Sequence, residues 1–212
     1  MSFNLVFLAP PKSVGADVQI LQFGVNAVPL LNATQPFPIS GEQQPTALEL
    51  DHRMVHRVKV GVIVFPGSNC DRDMYHVLTD VFKLKAEFFW HEKNLPKNID
   101  AVVLPGGFSY GDRLRAGVIA ANSPVINDVK KLANKGIPIL GVCNGFQILV
   151  ESNLLPGVLL KNKSLNFMCQ WTNLIVKNNK TPFTNKLQLN QKIPIPIANG
   201  EGRYYADSKL LH

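Results

Sequence analysis

The chain has 212 residues, 46% hydrophobic and 17% charged, with a net charge of +7. That length fits one α/β domain, the apolar fraction excludes wholesale disorder, and no apolar run reaches the roughly 18 residues of a membrane span. Its three cysteines, Cys70, Cys143 and Cys169, form neither a disulfide framework nor a zinc pattern, and no secretory signal opens the chain, so a reducing, cytoplasmic setting is expected.

Residues 1–57 carry a net charge of −1 and the remainder +8. The basic residues are scattered, without an Arg-rich run or interleaved aromatics, which reads as a solvated face or a surface for an acidic partner rather than a nucleic-acid site. The first segment holds Pro10, Pro11, Pro29, Pro36, Pro38 and Pro45 and a polar stretch at Ser40–Gln44. Prolines at that density interrupt helices and central strands. It is expected to be an irregular extension, with Val18–Phe23 able to pair as a strand and Met54 a plausible true start.

From Val58 the pattern sharpens. Val58–Phe65 is a β-branched run ending at Pro66-Gly67, which predicts a buried parallel strand and a turn. Ser68 and Asn69 are candidate caps for a helix over Cys70–Lys83, with apolar positions at Met74, Val77, Leu78, Val81 and Phe82. Ala86–Trp90 and Ala101–Leu104 read as strands, the latter stopped by Pro105-Gly106-Gly107. Helices are expected over Arg113–Ala121 and from Pro124 to Gly136, then a strand at Ile137–Val142 and a helix at Asn144–Glu151. This alternation predicts a doubly wound, mostly parallel sheet with helices on both faces and a site at the carboxyl ends of the strands.

Gly141-Val142-Cys143-Asn144-Gly145 is the sharpest local feature. A strand runs straight into a helix with cysteine at the corner, the thiol counterpart of the G-x-S-x-G nucleophile elbow. Glycines two residues before and after remove side chains that would clash with neighbouring chain. The helix N-terminus favours thiolate. The Asn144 amide could stabilise an oxyanion, worth roughly 3 kcal/mol per donor. The alternative is a small, inert core cysteine. Cys70 also opens a helix, but Asp71 and Asp73 beside it disfavour thiolate. Cys169, in an apolar strand-like stretch, reads as core. Gly106 and Gly107 could offer the second half of an oxyanion hole, or form a plain loop. No phosphate loop and no G-x-G-x-x-G occurs, so no ATP or dinucleotide site is expected in this chain.

The strand at Lys59–Phe65 with Pro66–Asp71, the run Leu104–Asp112, then Leu114–Gly117, and the elbow Gly141–Leu149 together resemble the glutaminase subunits of phosphoribosylformylglycinamidine synthase. These are class I glutamine amidotransferases of purine biosynthesis with a flavodoxin-like sheet. The resemblance covers about Val58–Asp207. It implies a glutamyl thioester on Cys143, oxyanion contacts from Gly107 and Asn144, and a glutamine contact from Gln147. It also implies ammonia transfer to a synthetase subunit that uses ATP and magnesium, with a small third subunit. No metal or cofactor is expected in this chain.

One departure stands out. The family's His-Pro-Glu near the C-terminus is missing: the histidines are His52, His56, His76, His91 and His212, none followed by Pro-Glu. Asn199 stands where many relatives have histidine. The expectation is a domain over 58–212 that lacks its general base and its last strands, leaving an open sheet edge and weak or no activity. Two other readings remain open. One is a non-catalytic partner-binding remnant, the other a different cysteine-elbow hydrolase of the same fold.

Overall fold

The structure, a computed structural model, describes residues 5–8, 19–21, 58–181 and 183–206. The prolines of the first segment, Met54, His52, His56 and His212 lie outside the described residues.

The strand β3 (Lys59–Val64) forms from the Val58–Phe65 run and lies parallel between β4 (Lys85–Trp90) and β5 (Ala101–Leu104), with β6 (Ile139–Val142) parallel to β5. The parallel strands therefore run β4-β3-β5-β6, the flavodoxin-like order, whose switch point lies between β3 and β5. Two strands from the first segment extend this sheet. β1 (Leu5–Leu8) pairs antiparallel with β6, Leu5 opposite Val142, and β2 (Gln19–Leu21) pairs with β1. The side of β6 away from β5 is therefore covered by backbone from the front of the chain, and the sheet ends at β2 and β4 among the described residues. β2 lies inside the Val18–Phe23 piece.

Alternation along the strands divides the core. Val60, Val62 and Val103 face Leu78 on one side. Ile63, Val102, Leu104 and Ile139 face the other, with Val125, Ile126 and Val129 of helix α2 (Pro124–Asn134) and Phe146, Ile148 and Leu149 of helix α3 (Asn144–Glu151). Phe146, Ile148 and Leu149 are fully buried, worth about 2 kcal/mol each. Helices on both faces follow as expected, and α2 and α3 sit where the sequence put them.

Three local expectations are corrected. Neither Ser68 nor Asn69 caps the first helix: Cys70 occupies the N-cap, and the Ser68 hydroxyl instead accepts from the Phe65 amide at 3.1 Å, closing the turn. That helix, α1 (Asp71–His76), passes into a π-helical turn at Val77–Val81. Wider winding there shifts the apolar register, so Leu78 is buried while Val77, Val81 and Phe82 are exposed. The helix expected over Arg113–Ala121 shrinks to a 3-10 turn at Ala120–Asn122. Leu114 and Gly117 have φ of 68° and 82°, outside any right-handed helix. Gly117 presses on α3, where a Cβ would lie 2.8 Å from the Ile148 nitrogen.

Beyond α3, β7 (Val158–Leu160) pairs with β10 (Arg203–Tyr205), and β8 (Met168–Ile175) pairs with β9 (Lys192–Asn199), both antiparallel. Cys169 lies on β8 and is exposed, contrary to its core reading, because this two-stranded ribbon has no layer over that face among the described residues. Asn162 ties the ribbons together: its Nδ2 donates to the Asn199 carbonyl at 2.8 Å and its Oδ1 accepts from the Gly202 amide at 3.1 Å. This carries the Gly200–Gly202 turn towards α3.

Candidate active site

Cys143 lies between β6 and α3, and its backbone is forced. It has φ 54° and ψ −110°, a conformation that a residue with a Cβ adopts only under constraint. The constraint is visible on both sides. A Cβ at Gly145 would overlap the Leu104 carbonyl oxygen, and one at Gly141 would meet the Gly145 carbonyl oxygen at 2.8 Å. Only hydrogen fits at either position, which is the steric reason for the two-residue glycine spacing. Cys143 is 7% exposed and N-caps α3, whose first turn carries no acidic residue. The positive end of that helix therefore lies at the cysteine corner with no acidic residue in its first turn to offset it.

The double glycine lies at the switch point. Gly107 has φ +144°, and a Cβ there would meet the Asn69 nitrogen at 2.5 Å and the Gly67 oxygen at 2.8 Å. The Gly106 carbonyl accepts from the Cys70 amide at 3.2 Å, and the Gly67 carbonyl accepts from the Phe108 amide at 2.9 Å. Glycine at 107 is thus explained by close packing of the β3–α1 loop against the β5 loop.

Asn144, the first residue of α3, is 1% exposed, and its side chain gathers the site. Its Oδ1 accepts from the Ser109 amide at 3.0 Å, and its Nδ2 donates to Asp112 Oδ1 at 3.1 Å and Gln147 Oε1 at 3.0 Å. Gln147 Nε2 in turn donates to the Glu201 carbonyl at 3.3 Å, and the Glu201 carboxylate accepts from the Ala116 amide at 3.2 Å. Cys143, Asn144 and Gln147 therefore share one helix start, enclosed by the loop after β5 and by the Gly200–Gly202 turn. Asp112 and Glu201 were missed from the sequence as partners. The Asp112 carboxyl is raised to about 6, first by burial and then by the Glu201 charge, with the Asn144 bond opposing. The Ser109 hydroxyl and Asn199 Nδ2 are buried without a hydrogen-bond partner among the described residues.

Two histidines are described, and neither serves Cys143. His76 pairs with Asp80 at 2.6 Å on the exposed side of α1. His91 is buried at the end of β4, stacked on Phe65 and 3.2 Å from the Tyr110 hydroxyl. β4 and β6 are three strand spacings apart, about 14 Å, which is beyond direct proton transfer.

Comparisons with known proteins agree with this geometry. The chain is 54% identical over 153 residues to phosphoribosylformylglycinamidine synthase subunit PurQ of Salinibacter ruber, covering 72% of this chain and 65% of that protein. It is 52% identical over 154 residues to the subunit of the same name from Moorella thermoacetica, covering 73% and 65%. The chain thus spans slightly less than two thirds of the length of these curated relatives. The solved structure of PurLQS from Thermotoga maritima matches with a TM-score of 0.68 and 46% identity over 72% of this chain and 71% of that one. The family model of the CobB/CobQ-like glutamine amidotransferase domain matches residues 57–212, a span that holds the strained cysteine corner and every partner of Asn144, and the chain belongs to that family.

Proposed function

We propose that this chain is a glutaminase subunit of phosphoribosylformylglycinamidine synthase, acting in cytoplasmic purine biosynthesis. The observation that carries the reading is the Cys143 backbone, held in a strained conformation at the start of a helix free of acidic residues in its first turn. The names of its relatives, at 54% and 52% identity, support the larger enzyme.

In this reading the Cys143 thiolate adds to the side-chain carbonyl carbon of glutamine. The amides of Gly107 and Asn144 receive the negative oxygen, with Gly106 letting the backbone approach, and Gln147 orients the substrate. The C–N bond then breaks, ammonia leaves with a proton, and water hydrolyses the glutamyl thioester to glutamate and free thiol. Ammonia passes to a synthetase subunit, which holds the ATP and magnesium of the amidation, and a small third subunit completes the enzyme. Similarity to the solved PurLQS structure from Thermotoga maritima supports such an assembly. The proton that the departing ammonia takes must come from an acid near Cys143, and neither described histidine, His76 or His91, is placed to give it.

Ammonia release from glutamine by the chain mixed with its synthetase subunit is the test. Release that disappears in Cys143→Ala supports the reading. No release from the unaltered mixture supports a partner-binding subunit without turnover. Release that survives Cys143→Ala removes Cys143 as nucleophile and points to another hydrolytic centre.

A further inference from the structure

We propose that Asp112 is a positioning residue for the cysteine corner, acting through the side chain of Asn144. The proposal rests on the glutaminase reading for its kinetic consequence, but its geometric part stands alone. The hydrogen bonds leave the Asn144 amide one orientation. The Ser109 backbone N–H can only donate, so it fixes Oδ1, and Nδ2 must point at Asp112 and Gln147. Because Nδ2 donates, Gln147 must present Oε1 to it and turn Nε2 outward. There Nε2 meets the Glu201 carbonyl, which can only accept. A chain that begins at an obligate donor and ends at an obligate acceptor has a single consistent direction, and Asp112 supplies the carboxyl acceptor along it.

The consequence reaches Cys143 through the backbone. Asn144 follows Cys143 directly, and its main-chain amide belongs to the strained turn. A side chain held at three points on Ser109, Asp112 and Gln147 leaves that peptide little freedom. Removing the Asp112 acceptor leaves a buried Nδ2 proton unsatisfied, and the amide must then rotate or break another bond. The charge environment of Asp112 is set from two sides. Glu201 faces it from the β9–β10 turn. On its own loop, Arg115 is committed to Glu151 by two hydrogen bonds. The raised Asp112 carboxyl fits a group that accepts from an amide in a poorly solvated place.

The test uses the full chain, with Asp112→Ala and Asp112→Asn. Amide hydrogen exchange at Ser109 reads the geometry without requiring turnover. Asp112→Ala should speed that exchange at least tenfold at unchanged global stability, while Asp112→Asn, which keeps an acceptor oxygen, should restore it to within threefold. With the synthetase subunit present, ammonia release by Asp112→Ala should show kcat down tenfold or more and KM within twofold, again rescued by Asn. Unchanged Ser109 exchange in Asp112→Ala overturns the proposal. Changed exchange with unchanged kcat also overturns it, since Asn144 would then be held without consequence for Cys143. If the unaltered chain releases no ammonia, the glutaminase reading fails, and the Ser109 exchange still decides whether Asp112 fixes Asn144. Should Asp112→Ala fail to fold, Asp112→Leu, which also removes the acceptor but keeps the side-chain volume, is read by the same Ser109 exchange, and unchanged exchange overturns the proposal.

Discussion

Two cysteines in this chain occupy the same topological position, and the structure treats them in opposite ways. Cys70 and Cys143 each follow a parallel strand and N-cap the next helix. Cys70 has an ordinary backbone, φ −105° and ψ 15°, whereas Cys143 is strained at φ 54° and ψ −110°. The first turn after Cys70 carries Asp71 and Asp73, while that after Cys143 carries no acid. Burial, then Asp73, then Asp71 push the Cys70 thiol up to about 11. A helix N-terminus alone therefore does not make a nucleophile. The difference lies in what the neighbouring residues add to the dipole and in how the backbone presents the sulfur.

The contrast between the two corners breaks most decisively by deletion. Cys143→Ala should abolish ammonia release from glutamine in the presence of the synthetase subunit, whereas Cys70→Ala should retain at least half. Equal losses would mean that the two corners do not differ functionally.

Next in size is the glycine frame. Positions two before and two after Cys143 are Gly141 and Gly145, while those around Cys70 are Ser68 and Arg72. Gly145→Ala forces a methyl group into the Leu104 carbonyl, a backbone atom that cannot swing aside. We expect a loss of about 3 kcal/mol or more in urea unfolding. Gly61→Ala, whose new methyl meets the Phe89 ring at 3.3 Å rather than backbone, should stay within about 1 kcal/mol. Similar costs at both sites would show that the corner is not held by Leu104.

A smaller effect sharpens the electrostatic half. Asp73→Asn should lower the Cys70 thiol from about 11, yet leave it above the ordinary value of 9.0, because burial is the larger cause. The pH dependence of Cys70 alkylation measures this. A fall to 9.0 or below would make Asp73, not burial, the dominant cause.

These corners also show what the sequence could carry. The Cys143 frame was legible because its cause is local: one strand, one helix and two glycines within five residues. Strands β3, β5 and β6 were legible for the same reason, as β-branched runs bounded by Pro and Gly. The Arg113–Ala121 stretch is not the expected helix because Leu114 and Gly117 take left-handed backbone where Gly117 packs on α3, a contact between distant segments. Asp112 and Glu201 are far apart in the chain and come near each other through contacts between distant segments, Asn162 holding the Gly200–Gly202 turn and Glu201 meeting Ala116 and Gln147. No local pattern announces such a pairing. The pairing of Leu5–Leu8 with β6 was hidden likewise, in a segment whose prolines argue against regular structure.

The smallest effect is in the pH dependence of stability, and its sign separates Asp112, bonded to Asn144, from Asp128 on α2. Asp112 has a folded value of about 6 against an ordinary 3.8. Between these values the native state keeps a proton that the unfolded chain has released. Stability from this group is thus complete below pH about 4 and is lost as pH rises through about 6. Asp128 runs the other way: Lys131, and less strongly the Leu95 amide, hold its carboxyl below the ordinary value despite some burial. Its contribution is present above about pH 4 and fades only as pH falls further, so it adds no slope between about pH 4 and 6. Urea unfolding from about pH 4 to 7 should therefore give a declining component in the wild type that Asp112→Asn removes and Asp128→Asn leaves in place. Removal by Asp128→Asn instead would move the proton uptake away from Asn144 and onto α2.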